Sequence, residues 1–158
     1  MRDFANKYLD KDKELVIYDI GSMGEWNYRD IFSNNPNWKY FGIDLKSGIN
    51  VDIILDSPYK WQFEDDSVDI VISGQCFEHI EFFWLTIMEI KRILKPNGLL
   101  CIIAPSKGYE HRFPVDCWRF YPDGMRALIK YADLTELEVY VDNSSDWGDC
   151  VLIAKKKI

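Results

Sequence analysis

LVIYDIGSMGEW, residues 15–26, runs an apolar stretch into an acidic residue and then directly into a turn that holds Gly21 and Gly24. The stretch Leu15–Ile20 reads as a strand, and glycines placed at its end let the main chain approach a ligand where a Cβ would intrude. In open α/β sheets, ligands bind outside the carboxyl ends of the strands at the point where strand order reverses. The turn after this strand is therefore where a nucleotide-like cofactor is expected.

Working outward, further apolar runs bounded by acidic or small residues fall at 39–44 (KYFGID), 51–56 (VDIILD), 68–73 (VDIVIS) and 99–104 (LLCIIA). Helix signals lie between them, and that alternation predicts parallel strands joined by crossovers. A short helix is expected over Tyr28–Phe32. Phe83, Ile87, Ile90 and Leu94 recur at the spacing of one helical face, and Pro96-Asn97-Gly98 ends that helix. Another helix is expected over 122–131, opened by Pro122 at a position suited to the first turn. Leu134–Val141 and Cys150–Lys155 flank the turn-rich NSSDWGD and are expected to pair as an antiparallel hairpin. The reading is a doubly wound α/β sheet of seven strands in three layers, mostly parallel, with an antiparallel pair at the C-terminal end. Only six residues, Leu45–Asn50, separate the second and third strands. A helical crossover needs about a dozen or more, so an extended link is expected there. No insertion is long enough for a lid, which predicts a shallow, open site that a second subunit, as in a homodimer, could complete.

The 158 residues fit one domain spanning 1–158, and 47% hydrophobic with 15% aromatic residues places the chain among globular proteins. A formal net charge of −7 argues against nucleic acid or an anionic membrane as partner and favours a small-molecule acceptor. Lys155-Lys156-Lys157 reads as a solvated basic run. Cys76, Cys101, Cys117 and Cys150 show no C-x-x-C spacing, so neither a zinc motif nor a disulfide framework is signalled. The charged N-terminal stretch has no signal-peptide core and no segment is long enough to span a bilayer; the expectation is a cytoplasmic protein.

A nicotinamide site would need glycine where this chain has Met23 and Trp26. Asp44 ends the second strand 23 positions after Gly21, where a carboxylate can take both hydroxyls of a ribose. Nicotinamide and adenosylmethionine sites share that device, so Asp44 by itself separates nothing.

The ordered set DIGSMG (19–24), Asp44, Asp56, SVDIVISGQCFEHI (67–80) and EIKRILKPNGLLCIIAPS (89–106) resembles the class I S-adenosylmethionine-dependent methyltransferases of the small-molecule type. The resemblance implies a Rossmann-like domain that binds S-adenosylmethionine and releases S-adenosylhomocysteine. It implies that Asp19, Gly21, Ser22 and Gly24 face the methionine part, and that Asp44 with Leu45 takes the ribose. It further implies that Asp56 and Ser57 flank the adenine, with Gly74 and Gln75 near the amino group and sulfonium. Met23 departs from the usual glycine.

Glu78 and His79 follow the fourth strand and are the candidates for proton removal from an acceptor; histidine suits that task because its pKa lies near neutrality. A helix-start pair held by local hydrogen bonds is the alternative. Related quinone O-methyltransferases carry a metal on a Glu-x-x-Glu-His arrangement at this place, whereas this chain has Gln75 in the first position, so no metal is expected. The loop Ala104–Met125 offers His111, Arg112, Asp116, Trp118 and Arg119 for acceptor recognition, or an Arg119–Asp116 pair that pins the loop itself. Arg92 is expected to pair with Glu89. The function read from all this is methyl transfer by in-line displacement to an oxygen or nitrogen of a small acceptor. Its competitors are a cofactor-binding regulatory module without catalysis and, disfavoured by Met23 and Trp26, a nicotinamide oxidoreductase.

Overall fold

In the computed structural model, which describes residues 1–25 and 28–158, seven strands form one sheet. They are β1 (Leu15–Ile20), β2 (Trp38–Asp44), β3 (Ile53–Ile54), β4 (Val68–Gly74), β5 (Leu94–Pro105), β6 (Leu134–Asp142) and β7 (Asp149–Lys156). Their order is β3-β2-β1-β4-β5-β7-β6; the first five pair in parallel, and β7 runs antiparallel between β5 and β6. Order reverses between β1 and β4, so the turns leaving their carboxyl ends diverge and open a crevice. Trp26 lies outside the described residues.

Alternation along the strands sends side chains to two cores. On β5, Leu100, Ile102 and Ala104 meet one core while Cys101 and Ile103 meet the other. Helices α3 (Phe83–Ile93) and α4 (Pro122–Tyr131) cover the first through Ile87, Ile90, Ile93, Met125, Leu128 and Ile129. Helices α1 (Arg2–Tyr8) and α2 (Arg29–Phe32) cover the second through Phe4, Ala5 and Phe32. The result is the three-layer α/β/α arrangement that the alternation predicts. No helix among the described residues is long and apolar enough to cross a membrane.

Three details differ from the expectations. Helix α1 precedes the first strand; its apolar signal is confined to Phe4 and Ala5, too little for a periodicity to show, and Lys7 and Tyr8 anchor it by donating to Glu138 on β6. Helix α3 ends at Ile93, and β5 begins at Leu94 rather than Leu99, so Pro96-Asn97-Gly98 lies within the strand span instead of ending the helix; Leu94 turns extended and pairs with Val68. The third strand is two residues long rather than Val51–Asp56. Its start is held back because Asp52 donates its N–H to the Gly42 carbonyl at 2.7 Å while its carboxylate takes the Gly42 N–H at 2.7 Å. Arg29 reinforces this fold-back, donating to Asp52 at 2.6 Å and to the Asn50 carbonyl at 3.2 Å. The link from β2 to β3 is helix-free, as its length requires.

Arg92 pairs with Glu89 at 2.8 and 3.0 Å and also donates to the Trp61 and Phe63 carbonyls and to Asp65. Those bonds clamp the segment after β3 onto α3. The helix-free link, in turn, lies so close to β2 that a Cβ on Gly42 would stand 1.8 Å from the Asn50 carbonyl oxygen. Gly42→Ala should therefore destabilise the protein by about 1–3 kcal/mol or more through overpacking against main chain; urea unfolding of the two proteins measures the difference.

Candidate active site

The turn after β1 is built on main-chain bonds. The Gly21 and Ser22 N–H groups donate to the Ile43 carbonyl at 2.9 and 3.2 Å, and Gly21 has a φ of +78°, open to glycine at little cost. A Cβ there would lie 2.3 Å from the Cys76 sulfur, so the turns leaving β1 and β4 touch. Asp44, at the end of β2, accepts the Met23 N–H at 3.2 Å on Oδ2 and the Leu45 N–H at 2.7 Å on Oδ1. Two N–H groups thus fix the carboxylate at the rim and leave its other lone pairs open.

A cavity of about 580 Å³ lies over the carboxyl ends of β1, β2 and β4. Gly21, Met23, Asp44, Leu45 and Lys46 form one wall, and an apolar slot of Ile43, Leu55, Pro58, Trp61 and Ile80 lies beside them. Gln75, Cys76 and His79 continue the wall, and His111, Arg112, Phe113 and Pro114 of the long loop close its far side. One acidic rim group beside an apolar slot, in a volume typical of small-ligand sites, suits a ligand that joins hydroxyl groups to an apolar ring.

The far end is the single 3₁₀ turn Phe77–His79. His79 Nδ1 is 2.6 Å from the Val115 carbonyl, an acceptor, so Nδ1 carries the hydrogen and Nε2 keeps a free lone pair. That Nε2 lies 3.7 Å from Glu78 Oε1. The Glu78 carboxyl is fully buried, and neither of its oxygens has a hydrogen-bond partner among the described residues. Burial pushes its pKa up to about 7 and pushes that of His79 down. His111 faces His79 with ring centroids 4.9 Å apart, and Glu78, His79 and His111 each offer an atom within 4.8 Å of the others.

The loop is fastened to this turn. The Glu78 carbonyl accepts the N–H groups of Cys117 at 2.7 Å and Trp118 at 3.2 Å, and Trp118 Nε1 donates to the Ile80 carbonyl at 3.1 Å. Arg119 spans Asp116 with bonds of 2.6 and 2.8 Å, and the guanidinium holds the Asp116 carboxyl well below the usual carboxylate range. Asp116 Oδ2 also takes the His111 N–H at 2.7 Å.

The structure thus brings Gly21, Asp44, Leu45, Gln75, His79, His111 and Arg112 to one cavity. Asp19, Ser22, Gly24, Asp56, Ser57, Gly74, Glu78, Asp116, Trp118 and Arg119 stand off its wall. Most of them have local work that keeps them there. Ser22 donates to the Asn50 carbonyl at 3.1 Å, the Gly24 carbonyl accepts Asn50 Nδ2 at 2.6 Å, and Ser57 Oγ accepts the Tyr59 N–H at 3.1 Å. Gly74 lies against Tyr28, whose hydroxyl would be 2.2 Å from any Cβ there. Gln75 reaches the cavity, yet its side chain donates to Asp149 at 2.8 Å. Arg119 and Trp118 pin the loop, whereas among the described residues Arg112 pairs only with the exposed Glu110. The sequence reading passed over Leu55, Pro58 and Trp61, whose signal was their apolar character on either side of the Asp56-Ser57 pair.

A family model described as a methyltransferase domain matches residues 19–102 of this chain. An uncharacterized methyltransferase of Schizosaccharomyces pombe is 43% identical over 58 residues, which are 34% of this chain and 21% of that relative. The match thus spans about a fifth of the relative's length. Among solved structures, a SAM-dependent methyltransferase from Methanosarcina mazei superposes with a TM-score of 0.79 at 16% identity, covering 98% of this chain and 97% of that one. The 1,6-didemethyltoxoflavin-N1-methyltransferase of Burkholderia thailandensis, solved with 1,6-didemethyltoxoflavin and S-adenosylhomocysteine, gives 0.76 at 15% identity over 92% of this chain and 72% of that one. At such identities the likeness speaks for the fold.

Asp19, 2% exposed beneath the turn, accepts the Tyr40 hydroxyl at 2.5 Å, and burial lifts its carboxyl to about 7. The unfolded chain releases this proton near its ordinary pKa of 3.8, well before the folded one does. Stability from this group is therefore full at low pH and is lost as pH rises from about 4 to about 7. Asp19→Asn keeps an acceptor for Tyr40 and removes the titration. Relative to it, the parent should lose on the order of 2–4 kcal/mol across that window, measured as urea midpoints against pH.

Proposed function

Because this chain belongs to the methyltransferase-domain family, we propose that it transfers a methyl group from S-adenosylmethionine to an oxygen or nitrogen of a small acceptor molecule. The observation that carries this reading is a single cavity with an oriented carboxylate, Asp44, at one end and a histidine with a free ring nitrogen, His79, at the other. Bound S-adenosylmethionine supplies a methyl group on a sulfonium sulfur, open to in-line attack.

The chain's own part is alignment and proton removal. Asp44 holds the ribose through two charge-assisted hydrogen bonds, and the apolar slot of Ile43, Leu55 and Trp61 takes the base beside it. Gly21 and the main chain of Gln75 leave room between the turns of β1 and β4 for the amino-acid end. His111, Arg112 and Phe113 face the acceptor, and the His79 Nε2 lone pair receives its proton, with buried Glu78 behind the ring. The solved Burkholderia enzyme, which holds a small heterocycle together with S-adenosylhomocysteine, supports an acceptor of that size. A regulatory module without chemistry has no need of a buried, unpaired carboxyl next to that imidazole.

Asp44→Ala should weaken S-adenosylhomocysteine binding at least tenfold, since each lost bond is worth about 1.5–3 kcal/mol, while leaving the protein folded. Calorimetric titration reads this directly, and an unchanged affinity removes the ribose assignment. With an acceptor in hand, His79→Ala should lower kcat roughly a hundredfold and spare cofactor affinity; normal turnover in that variant would leave alignment as the whole of catalysis.

A further inference from the structure

We propose that Glu78, His79 and His111 bind one divalent first-row transition-metal ion of the zinc type at the acceptor end of the cavity. The inference deepens the methyl-transfer reading, because it rests on that end of the cavity being where the acceptor docks.

Glu78 carries the argument. A fully buried carboxyl with neither oxygen hydrogen-bonded leaves two strong acceptors without compensation, which is costly inside a protein. Both oxygens belong to a side chain that faces His79 Nε2, an imidazole nitrogen whose lone pair is free because Nδ1–H is spent on the Val115 carbonyl. Donation of the other ring hydrogen to a main-chain carbonyl is the usual way a metal-binding histidine is oriented. The third group, His111, stands with its ring edge-on to His79, and all three ligand atoms fall within 4.8 Å of one another. Ligands held by a tetrahedral zinc at ~2.1 Å lie about 3.4 Å apart, close to the 3.7 Å already present between Glu78 and His79.

Charges of both signs surround the carboxyl. Asp116 and Asp149 add negative potential at Glu78, and Arg119, the cation that opposes them, is bound through two nitrogens to Asp116. Two imidazoles and one carboxylate suit zinc, cobalt, iron or manganese, whereas magnesium and calcium prefer oxygen ligands throughout. Three protein ligands leave a coordination position open toward the cavity that His79 and His111 line. An acceptor hydroxyl occupying that position loses its proton to water, the O–H electron pair staying on oxygen, so the ion would assume the task otherwise given to His79. Gln75, held by Asp149, has no part in the set.

The test starts from full-length protein stripped with chelator and titrated with Zn²⁺, Co²⁺ and Mg²⁺, with S-adenosylhomocysteine titrated separately. The expected result is one equivalent of Zn²⁺ bound at least a hundredfold more tightly than Mg²⁺, with visible Co²⁺ absorption of a low-coordinate site. His111→Ala, on a partly exposed loop, and Glu78→Gln, which keeps the side-chain volume, should each lower zinc affinity tenfold or more. Cys117→Ser, at the exposed thiol, should not change it. Absence of stoichiometric binding, or zinc affinity unchanged by His111→Ala and Glu78→Gln, overturns the site. Tight zinc binding without S-adenosylhomocysteine binding would support the ion site and overturn the methyl-transfer reading, so the two fail separately.

Discussion

The closeness of β1 to both its neighbours governs the rest of the molecule. Gly21 leaves β1 bonded to the Ile43 carbonyl on one side and touching Cys76 on the other, with no space for even one carbon more. Ser73 bonds the Ile20 carbonyl at 2.9 Å across the same seam, sealing β1 to β4 just below the point where their turns part. A crevice forms only because two strands packed this tightly send their chains in opposite directions. The cavity, the rim carboxylate and the histidine turn all take their positions from that parting.

Two buried carboxyls lie near it and are treated differently. Asp19 has a tyrosine hydroxyl at 2.5 Å and the field of Arg29 to moderate its burial. Glu78 has no such hydroxyl among the described residues, and the Arg119 guanidinium that lowers its pKa is itself committed to Asp116; its side chain lies beside His79 while its carbonyl holds two main-chain N–H groups of the loop. The first carboxyl is part of the scaffold under the cofactor turn. The second couples the loop to the Phe77–His79 turn through its main chain and leaves its side chain uncommitted, an arrangement that costs stability unless a ligand or proton completes it.

The positions of Gly21, Asp44, Leu45 and Gln75 at one cavity were legible in the sequence because they follow strand ends, whereas Asp19, Ser22, Gly24, Asp56, Ser57 and Gly74 stand off its wall. Glycine at a positive φ and an acid at a strand end need no knowledge of distant contacts, and so Gly21 and Asp44 fell where they were expected. The sheet was legible for the same reason: apolar runs and turn residues are local. Helix α1 and the length of β3 were not, because Phe4 and Ala5 show no period and because the β3 start is set by Asp52 folding back onto Gly42. The meeting of His111 with His79 was hidden as well. It depends on a long loop whose course is fixed by N–H groups donating to the Glu78 carbonyl, and main-chain bonds of that kind leave no mark on residue type.

This division of labour bears on how such a site can vary. The cofactor end is made largely of main chain: the N–H groups of Met23 and Leu45 orient Asp44, and Gly21 contributes only the absence of a side chain. Side-chain replacement around it changes little so long as the turn keeps its path, which is how Met23 stands at a usual glycine position with the turn intact. The far end of the cavity is made of side chains on a loop whose course is held by the bidentate pairing of Asp116 with Arg119. Removing either partner leaves the other without its charge-assisted bonds and takes away part of the loop's anchor. Arg112 and Phe113, which line the cavity, lie outside that pair and carry no comparable structural load. The loop can therefore change what it recognises without changing where it lies, and the strand parting below it stays as it is.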